Sequence, residues 1–191
     1  MQRLFLIFIL VFTPITLPYA ATQSSNVYEV EVVVFENRTP DLDGGELWKR
    51  DLGISADTDM KDAVTAGEIP PADSLLSPAA AALEKSGEHH VLAHLRWEQS
   101  AEAKSLSQPV KIVNAESGLD GTLRFYLSRY LLVDVNLMLK EVTTGGIFGG
   151  ADKEGLVYRL SERRRVKLSE TNYFDHPRFG ALVRVSPVKT N

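Results

Sequence analysis

The chain has 191 residues, and its 21 lysines and arginines stand against 25 aspartates and glutamates, which gives a formal net charge of −4. This charge does not favour nucleic acid or an anionic membrane as a partner. The chain has no cysteine, which excludes disulfides, thiolate chemistry and a lipid-modified N-terminal cysteine. The length is sufficient for one well-buried domain.

The first 21 residues are typical of a secretory signal peptide. Arg3 precedes a short apolar run, Leu4 to Phe12, which is followed by prolines and small residues. The run is shorter than the about 20 apolar residues that a membrane span needs. We therefore expect residues 1–21 to be removed, residues 22–191 to form the mature domain in a gram-negative periplasm, and no stable membrane insertion to remain. A retained N-terminal anchor is the alternative.

The first elements of the mature chain are a strand, a long loop and a helix. Val27–Glu36 predicts a central strand, because it is rich in β-branched and aromatic residues and its far end is apolar on both faces. Residues 37–76 are rich in Asp, Gly and Pro, and predict a long irregular loop that contains Trp48. Ser77–Gly87 predicts a helix in which Ser77 is the cap and Gly87 the C-terminal stop.

Further strands are predicted by alternation of apolar and polar residues at His90–Gln99, Pro109–Val113 and Leu131–Lys140. Residues 122–130 fit a strand or a helix. The glycine-rich connector Gly145–Gly150 lacks the Lys-Ser/Thr that ends a phosphate-binding loop.

The predicted fold is α+β, with a mostly antiparallel sheet and one or two packed helices in a single domain, because several strands with long connections surround one clear helix. Two sheet-forming halves around the helix are the alternative.

Histidines and carboxylates do not predict a metal site or an enzyme. His90 and His94 fall on one strand face but about 13 Å apart, which is too far to share a metal ion. No nucleophile elbow or His-Glu-x-x-His motif occurs. Glu162, Glu170 and Asp175 lie among arginines, whose charge lowers a carboxyl pKa and makes it a poor general acid. We predict no cofactor, no metal and no catalytic residue.

The arginine triplet is the stronger indication of function. In a strand, Arg163 and Arg165 project from one face and Arg164 from the other. Guanidinium groups bind carboxylates with two hydrogen bonds, and the peptide stems of the cell-wall polymer are rich in carboxylates. The alternative is that the arginines form cross-strand ion pairs; the candidate partners are Glu29, Glu31, Glu98 and Glu162.

The segment Tyr173–Pro177 predicts a turn in which the Asp175 side chain accepts from the backbone, and this turn directs a final strand, Gly180–Val185, into the sheet.

Taken in order, these motifs resemble the CsiV-type periplasmic peptidoglycan-binding proteins. The motifs are a signal peptide, Y-E-V-E-V-V-V-F (28–35), E-x-W (46–48), V-L-A-H-L-R-W-E-Q (91–99), R-Y-L (129–131), E-R-R-R (162–165) and Y-F-D-H-P-R-F-G-A-L-V (173–183). Leu132 and Asn172 stand where the family often has histidine, so no role of those histidines carries over.

The resemblance implies a protein that binds peptidoglycan and supports its synthesis. The implied partners are a bifunctional, class A penicillin-binding protein and the outer-membrane lipoprotein that activates it. A structural interaction module without affinity for the polymer is the second hypothesis, and a glycan-active enzyme is the third. The candidate ligand-binding residues are Arg129, Tyr130, Arg163, Arg165, Tyr173 and His176, with Trp48 as a platform on which a sugar stacks. Trp97 is assigned to the core.

Overall fold

Most of the alternating segments form strands in the computed structural model, which describes residues 27–39, 62–65, 74–140 and 157–188. In these ranges the chain forms eight strands and one helix. In chain order they are β1 (Val27–Asn37), α1 (Ser77–Ser86), β2 (His89–Ser100), β3 (Val110–Lys111), β4 (Leu119–Leu127), β5 (Leu131–Lys140), β6 (Val157–Arg165), β7 (Thr171–His176) and β8 (Phe179–Pro187). Trp48 and the connector Gly145–Gly150 lie outside the described residues, as do residues 1–21.

Sheet A has the strand order β2-β1-β8-β7, with every neighbouring pair antiparallel. The prediction of a central strand at β1 is confirmed, because β2 and β8 pair with its two edges. Its far end is buried on both faces: Val32 and Val34 on one face and Val33 on the other are each 0% exposed.

Sheet B has the order β3-β4-β5-β6 and is also antiparallel. The ambiguous residues 122–130 continue β4 as far as Leu127, after which Ser128, Arg129 and Tyr130 turn the chain into β5. Phe125 of β4 meets Tyr28 of sheet A edge to face, with ring centroids 5.5 Å apart. The two sheets therefore bury their apolar faces against each other, in one core.

The expected antiparallel pairing is confirmed, but the α+β class fits only loosely. The sequence favoured a sheet covered by one or two helices, whereas the described residues form two sheets and a single ten-residue helix with no buried residue. An apolar sheet face must be covered, and here the second sheet covers it.

Helix α1 lies along edge strand β2. The carboxylate of Glu84 accepts from the Val91 backbone N–H at 2.6 Å. The predicted stop is confirmed, since Gly87 takes a left-handed conformation with φ 73°. The predicted cap is wrong by one position: Leu76 is the N-cap, and the Ser74 hydroxyl accepts from the Ser77 backbone N–H instead.

A β-bulge in β2 changes the faces predicted for the histidines. Val34 pairs with Ala93 and Phe35 with Val91, so Leu92 is an extra residue in the ladder. The bulge places His90 and His94 on opposite faces of sheet A, because an inserted residue reverses the alternation. The prediction of a shared face assumed an unbroken strand and is wrong.

The C-terminal third forms strands over most of its length. Tyr173 to His176 belong to β7, and only Pro177 and Arg178 connect β7 to β8, so the predicted five-residue turn is too long. No helix in the described ranges is long and apolar enough to cross a membrane.

Candidate functional site

The face of sheet B turned away from sheet A, called here the outer face, is strongly cationic. Alternation places on it the polar residues of β3 to β6, and the loop before β3 adds one lysine. Its cationic side chains are Lys104, Lys111, Arg124, Lys140, Arg159, Arg163 and Arg165, and its carboxylates are Asp120 and Asp134. This excess of positive charge contrasts with the formal net charge of −4 for the chain.

Arg165 and Tyr130 form a stacked pair at the end of this face where β4 turns into β5. The Arg165 guanidinium carbon lies 3.8 Å from the centroid of the Tyr130 ring. Tyr130 is 44% exposed. Stacking uses the flat face of a guanidinium and leaves its N–H groups directed outward in the plane. The pair therefore presents charged donors and an aromatic surface to solvent.

Asp134 organises the neighbouring side chains. Its carboxylate accepts from Arg163 Nε at 2.8 Å and Nη2 at 3.2 Å, from Lys104 Nζ at 2.5 Å and from the Tyr126 hydroxyl at 3.0 Å. The side chain of Asp134 is 17% exposed and that of Arg163 59%. The Asp134 carboxylate thus holds one edge of the Arg163 guanidinium, while more than half of the Arg163 side chain remains exposed to solvent.

The pKa values in this cluster follow from these contacts. Burial raises the pKa of Asp134, but the hydrogen bonds from Arg163, Lys104 and Tyr126 together lower it by more than burial raises it. The pKa of Asp134 therefore lies below its usual value. Burial, and then the hydrogen bond to Asp134, raises the pKa of Tyr126. The same carboxylate raises the pKa of Arg163 through its hydrogen bond. Asp134 is therefore anionic and Arg163 is charged at neutral pH.

Arg164 projects toward the other side of β6, as the alternation predicted. It pairs with the Glu162 carboxylate and donates to the Tyr173 carbonyl of β7. Its guanidinium also lies 4.9 Å from the centroid of the Phe174 ring. Arg164 therefore joins the edges of the two sheets. Of the four carboxylates named as candidate partners, the triplet pairs only with Glu162, which lies on the same strand as Arg164, so this pair is not the cross-strand pair that was predicted.

The predicted site residues fall into separate places. Arg163, Arg165 and Tyr130 come together on the outer face of sheet B, and Arg129 is exposed in the same turn as Tyr130. Tyr173 is on sheet A, where its ring stacks on Phe35 and its hydroxyl donates to Asp175 at 2.7 Å. Trp48 lies outside the described residues.

His176 is buried, at 4% exposure. Its Nδ1 accepts from the Arg178 backbone N–H at 3.1 Å, and its ring contacts Tyr158 and Phe179. Burial lowers its pKa, against the opposing effect of the Asp175 carboxylate. The histidine is therefore neutral at pH 7 and closed to a large ligand.

Ser74, His94 and Glu31 meet in a group that resembles the residue set of a serine hydrolase. His94 Nε2 lies 3.2 Å from the Ser74 hydroxyl and 2.7 Å from the Glu31 carboxylate. A catalytic histidine bonds the nucleophile through one ring nitrogen and the carboxylate through the other. Here both partners share Nε2. Ser74 and Glu31 instead hold the start of α1, accepting from the backbone N–H groups of Ser77 and Leu76.

Three residues of the outer-face cluster were not identified from the sequence: Asp134, Tyr126 and Lys104. The alternation placed Asp134 on the polar side of β5, but nothing in the sequence gives the register between β5 and β6, where Asp134 is opposite Arg163. Among the described residues, no group of three or more His, Cys, Asp or Glu is arranged to hold a metal ion.

The chain matches a family model described as "Peptidoglycan-binding protein, CsiV" over residues 3–188. No curated protein matches the chain. No solved structure matches it either. The family model covers nearly the whole sequence, including all of the strands described above, and the chain belongs to the CsiV family of peptidoglycan-binding proteins.

Proposed function

We propose that this protein is a periplasmic, non-enzymatic peptidoglycan-binding protein that contacts the polymer through the outer face of sheet B. Through this contact it supports peptidoglycan synthesis by a class A penicillin-binding protein and that enzyme's outer-membrane lipoprotein activator. Family membership supports the binding of the polymer.

The observation that carries the choice of surface is the stacked pair of Arg165 and Tyr130. Peptidoglycan combines sugar rings with peptide carboxylates. An aromatic ring gives a sugar a flat apolar surface, and an in-plane guanidinium edge binds a carboxylate with two hydrogen bonds. Arg165 and Tyr130 offer both within one exposed pair.

The charge of the outer face favours the same ligand. Its cations exceed its carboxylates, and the polymer repeats its carboxylates along a chain. A cationic surface raises the local concentration of such a ligand and accelerates encounter. Arg163 adds a second guanidinium beside Arg165, held in place by Asp134.

Exposed apolar residues at the same end of sheet B support a protein partner. Leu127 is the last residue of β4 and Leu168 lies between β6 and β7, and the two residues are 44% and 40% exposed. Exposed apolar surface is typical of protein interaction sites. We assign this end to the synthase or its activator, with the polymer lying along the cationic face.

Co-sedimentation of the mature protein with purified sacculi tests the surface. We expect Arg165→Gln to weaken binding about tenfold or more, the effect of losing a charge-assisted pair of hydrogen bonds. Arg165→Lys should restore only part of the affinity, because lysine keeps the charge but neither stacks nor binds with two parallel bonds.

Lys85→Gln is the matched control, because it removes an exposed cation from α1, away from sheet B. Equal binding by Arg165→Gln and Lys85→Gln would show that the outer face is not the binding surface. Absence of the unmodified protein from the pellet at low salt would contradict polymer binding. Capture of the synthase or its activator without sacculi would then identify an interaction module, and release of soluble fragments would identify an enzyme.

A further inference from the structure

A cavity lies at the end of sheet B opposite Tyr130. β5 runs from the stacked pair to this cavity, and its ten residues cover about 30 Å. The cavity, called here the end cleft, has a volume of about 470 Å³ between the two sheets. Its lining includes Glu36, Asn114, Glu116, Lys140, Tyr158 and Arg178.

The end cleft has charges of both signs, unlike the outer face. Glu36 and Glu116 supply two carboxylates and Arg178 supplies a cation, whereas the side chain of Lys140 leaves β5 on the outer face of sheet B. Within the described ranges, Glu36 and Glu116 form no ion pair, so their charges are not already neutralised by a neighbouring side chain. A cavity with both signs favours a ligand that itself carries a cation and an anion.

Glu116 is placed by a well-bonded turn. The Asn114 side chain donates to the Leu92 carbonyl at 2.7 Å and accepts from the Glu116 backbone N–H at 3.1 Å. Leu92 is the extra residue of the β-bulge, so the bulge offers a carbonyl to which the turn binds. The bulge therefore fixes one wall of the end cleft, a role that bulges often have beside functional sites.

Arg178 directly follows the segment Tyr173–Pro177, which holds it in place. Its backbone N–H donates to His176 Nδ1 at 3.1 Å, and its carbonyl accepts from the Asn37 backbone N–H at 2.9 Å. Its guanidinium carbon lies 5.7 Å from the centroid of the Tyr158 ring, which in turn contacts His176. The buried histidine thus orients the arginine without meeting the ligand.

We propose that the end cleft binds a zwitterionic, amino-acid-like group. This step rests on the proposed function, which makes that group the amine-bearing third residue of a peptidoglycan stem peptide, such as diaminopimelate. Its carboxylate pairs with Arg178, and its ammonium with Glu36 and Glu116. The outer face selects carboxylates in general, whereas the end cleft distinguishes a stem whose amine is free from one whose amine is cross-linked.

Calorimetric titration of the mature protein with the tripeptide L-Ala-γ-D-Glu-meso-diaminopimelate tests the proposal. The comparison ligand is the same tripeptide with its side-chain amine acetylated, which removes the cation. We expect the acetylated form to bind about tenfold more weakly or worse, as for the loss of one charge-assisted hydrogen bond. Glu116→Gln should reduce this preference, and Arg178→Gln should weaken both ligands.

Lys167→Gln is the control and should leave tripeptide binding unchanged, because Lys167 is exposed and follows β6 at the end of sheet B opposite the end cleft. Glu116 is exposed, so Glu116→Gln should keep the melting temperature of the unmodified protein. No saturable tripeptide binding at millimolar concentration, or equal affinity for the two ligands, would overturn the proposal. Sacculus co-sedimentation tests the proposed function, and the tripeptide titration tests the end cleft. The two results are independent, because the titration can be done on a protein that does not pellet with sacculi.

Discussion

Asp134 determines which arginine of the outer face is available to a ligand. Two of the nitrogens of Arg163 are already bonded to its carboxylate. Arg165 instead lies on an aromatic ring, which takes none of its in-plane donors. At the scale of single residues, Arg165 therefore has more donors free for a ligand than Arg163, and we expect Arg165 to be the binding group.

Asp134→Asn should lower the free energy of unfolding by about 1–3 kcal/mol, because hydrogen bonds to a charged partner are lost and the cations around it repel each other. Urea denaturation at pH 7 measures the change. Asp120→Asn is the control, since Asp120 lies on the same face and has no ion pair in the described ranges. Equal losses in the two variants would show that the bonds to Asp134 add no stability.

The faces of the arginine triplet were predictable from the sequence, but their partners were not. Alternation has a period of two, so it fixes a side chain's face whatever the register. A shift of two residues between β5 and β6 keeps Arg163 on the outer face and moves it from Asp134 to Leu132 or Asn136. The register depends on packing across the whole sheet, and the sequence near Arg163 does not contain that information.

At the scale of elements, the clearest helix in the sequence contributes least to the core. α1 has a confirmed stop at Gly87 and no buried residue, because its role is to cover the edge of β2. The sequence left two sheet-forming halves around the helix as an alternative, but it did not predict that two sheets pack on each other, since alternation does not tell which element covers an apolar face. The β-bulge at Leu92 was not predicted either, because no glycine or proline at this position indicates a break in the strand.

Gly87 and Gly118 allow a matched test of how closely the start of β4 packs against the end of β5. Both have φ 73°, which a side chain adopts only with strain. A Cβ at Gly87 meets nothing within 4 Å, whereas a Cβ at Gly118 lies 2.4 Å from the Lys140 carbonyl oxygen. Gly118→Ala should therefore lower the free energy of unfolding by about 1–3 kcal/mol more than Gly87→Ala.

Chemical denaturation of the two alanine variants measures this difference. Gly118→Ala should also weaken tripeptide binding, because the backbone of Lys140 must move away from the new Cβ and Lys140 lines the end cleft. Similar losses of stability in both variants would mean that Gly118 and Lys140 can move apart with little change in the free energy of unfolding.

At the scale of the whole molecule, charge is distributed unevenly. The chain has a formal net charge of −4, yet the outer face of sheet B carries seven cations and two carboxylates. A protein with this distribution orients its cationic face toward an anionic polymer before contact. The overall charge alone argued against anionic partners, and only the pairing of β3 to β6 reveals the local excess.

Global stability should fall as the pH drops below about 6.5, the ordinary pKa of histidine. The pKa of His176 is lowered in the fold because the ring is buried. Between the folded and the unfolded pKa, the unfolded chain binds the proton and the folded one does not, so protonation favours unfolding. Neutral His176 contributes its full stabilisation above pH 6.5. This contribution is lost as the pH falls from 6.5 to the pKa of His176 in the folded state. A second loss follows at lower pH, as Asp134, whose pKa is also lowered, is protonated.

His176→Asn tests the first window, because an amide oxygen replaces Nδ1 as the acceptor for the Arg178 N–H but does not titrate. The variant should be less stable at pH 7, since it packs less well against Tyr158 and Phe179. Its stability should change less than that of the unmodified protein between pH 7 and pH 5, as measured by denaturant midpoints. The same dependence on pH in both proteins would show that His176 does not cause the loss, and would contradict a buried, neutral His176 that holds Arg178 in the end cleft.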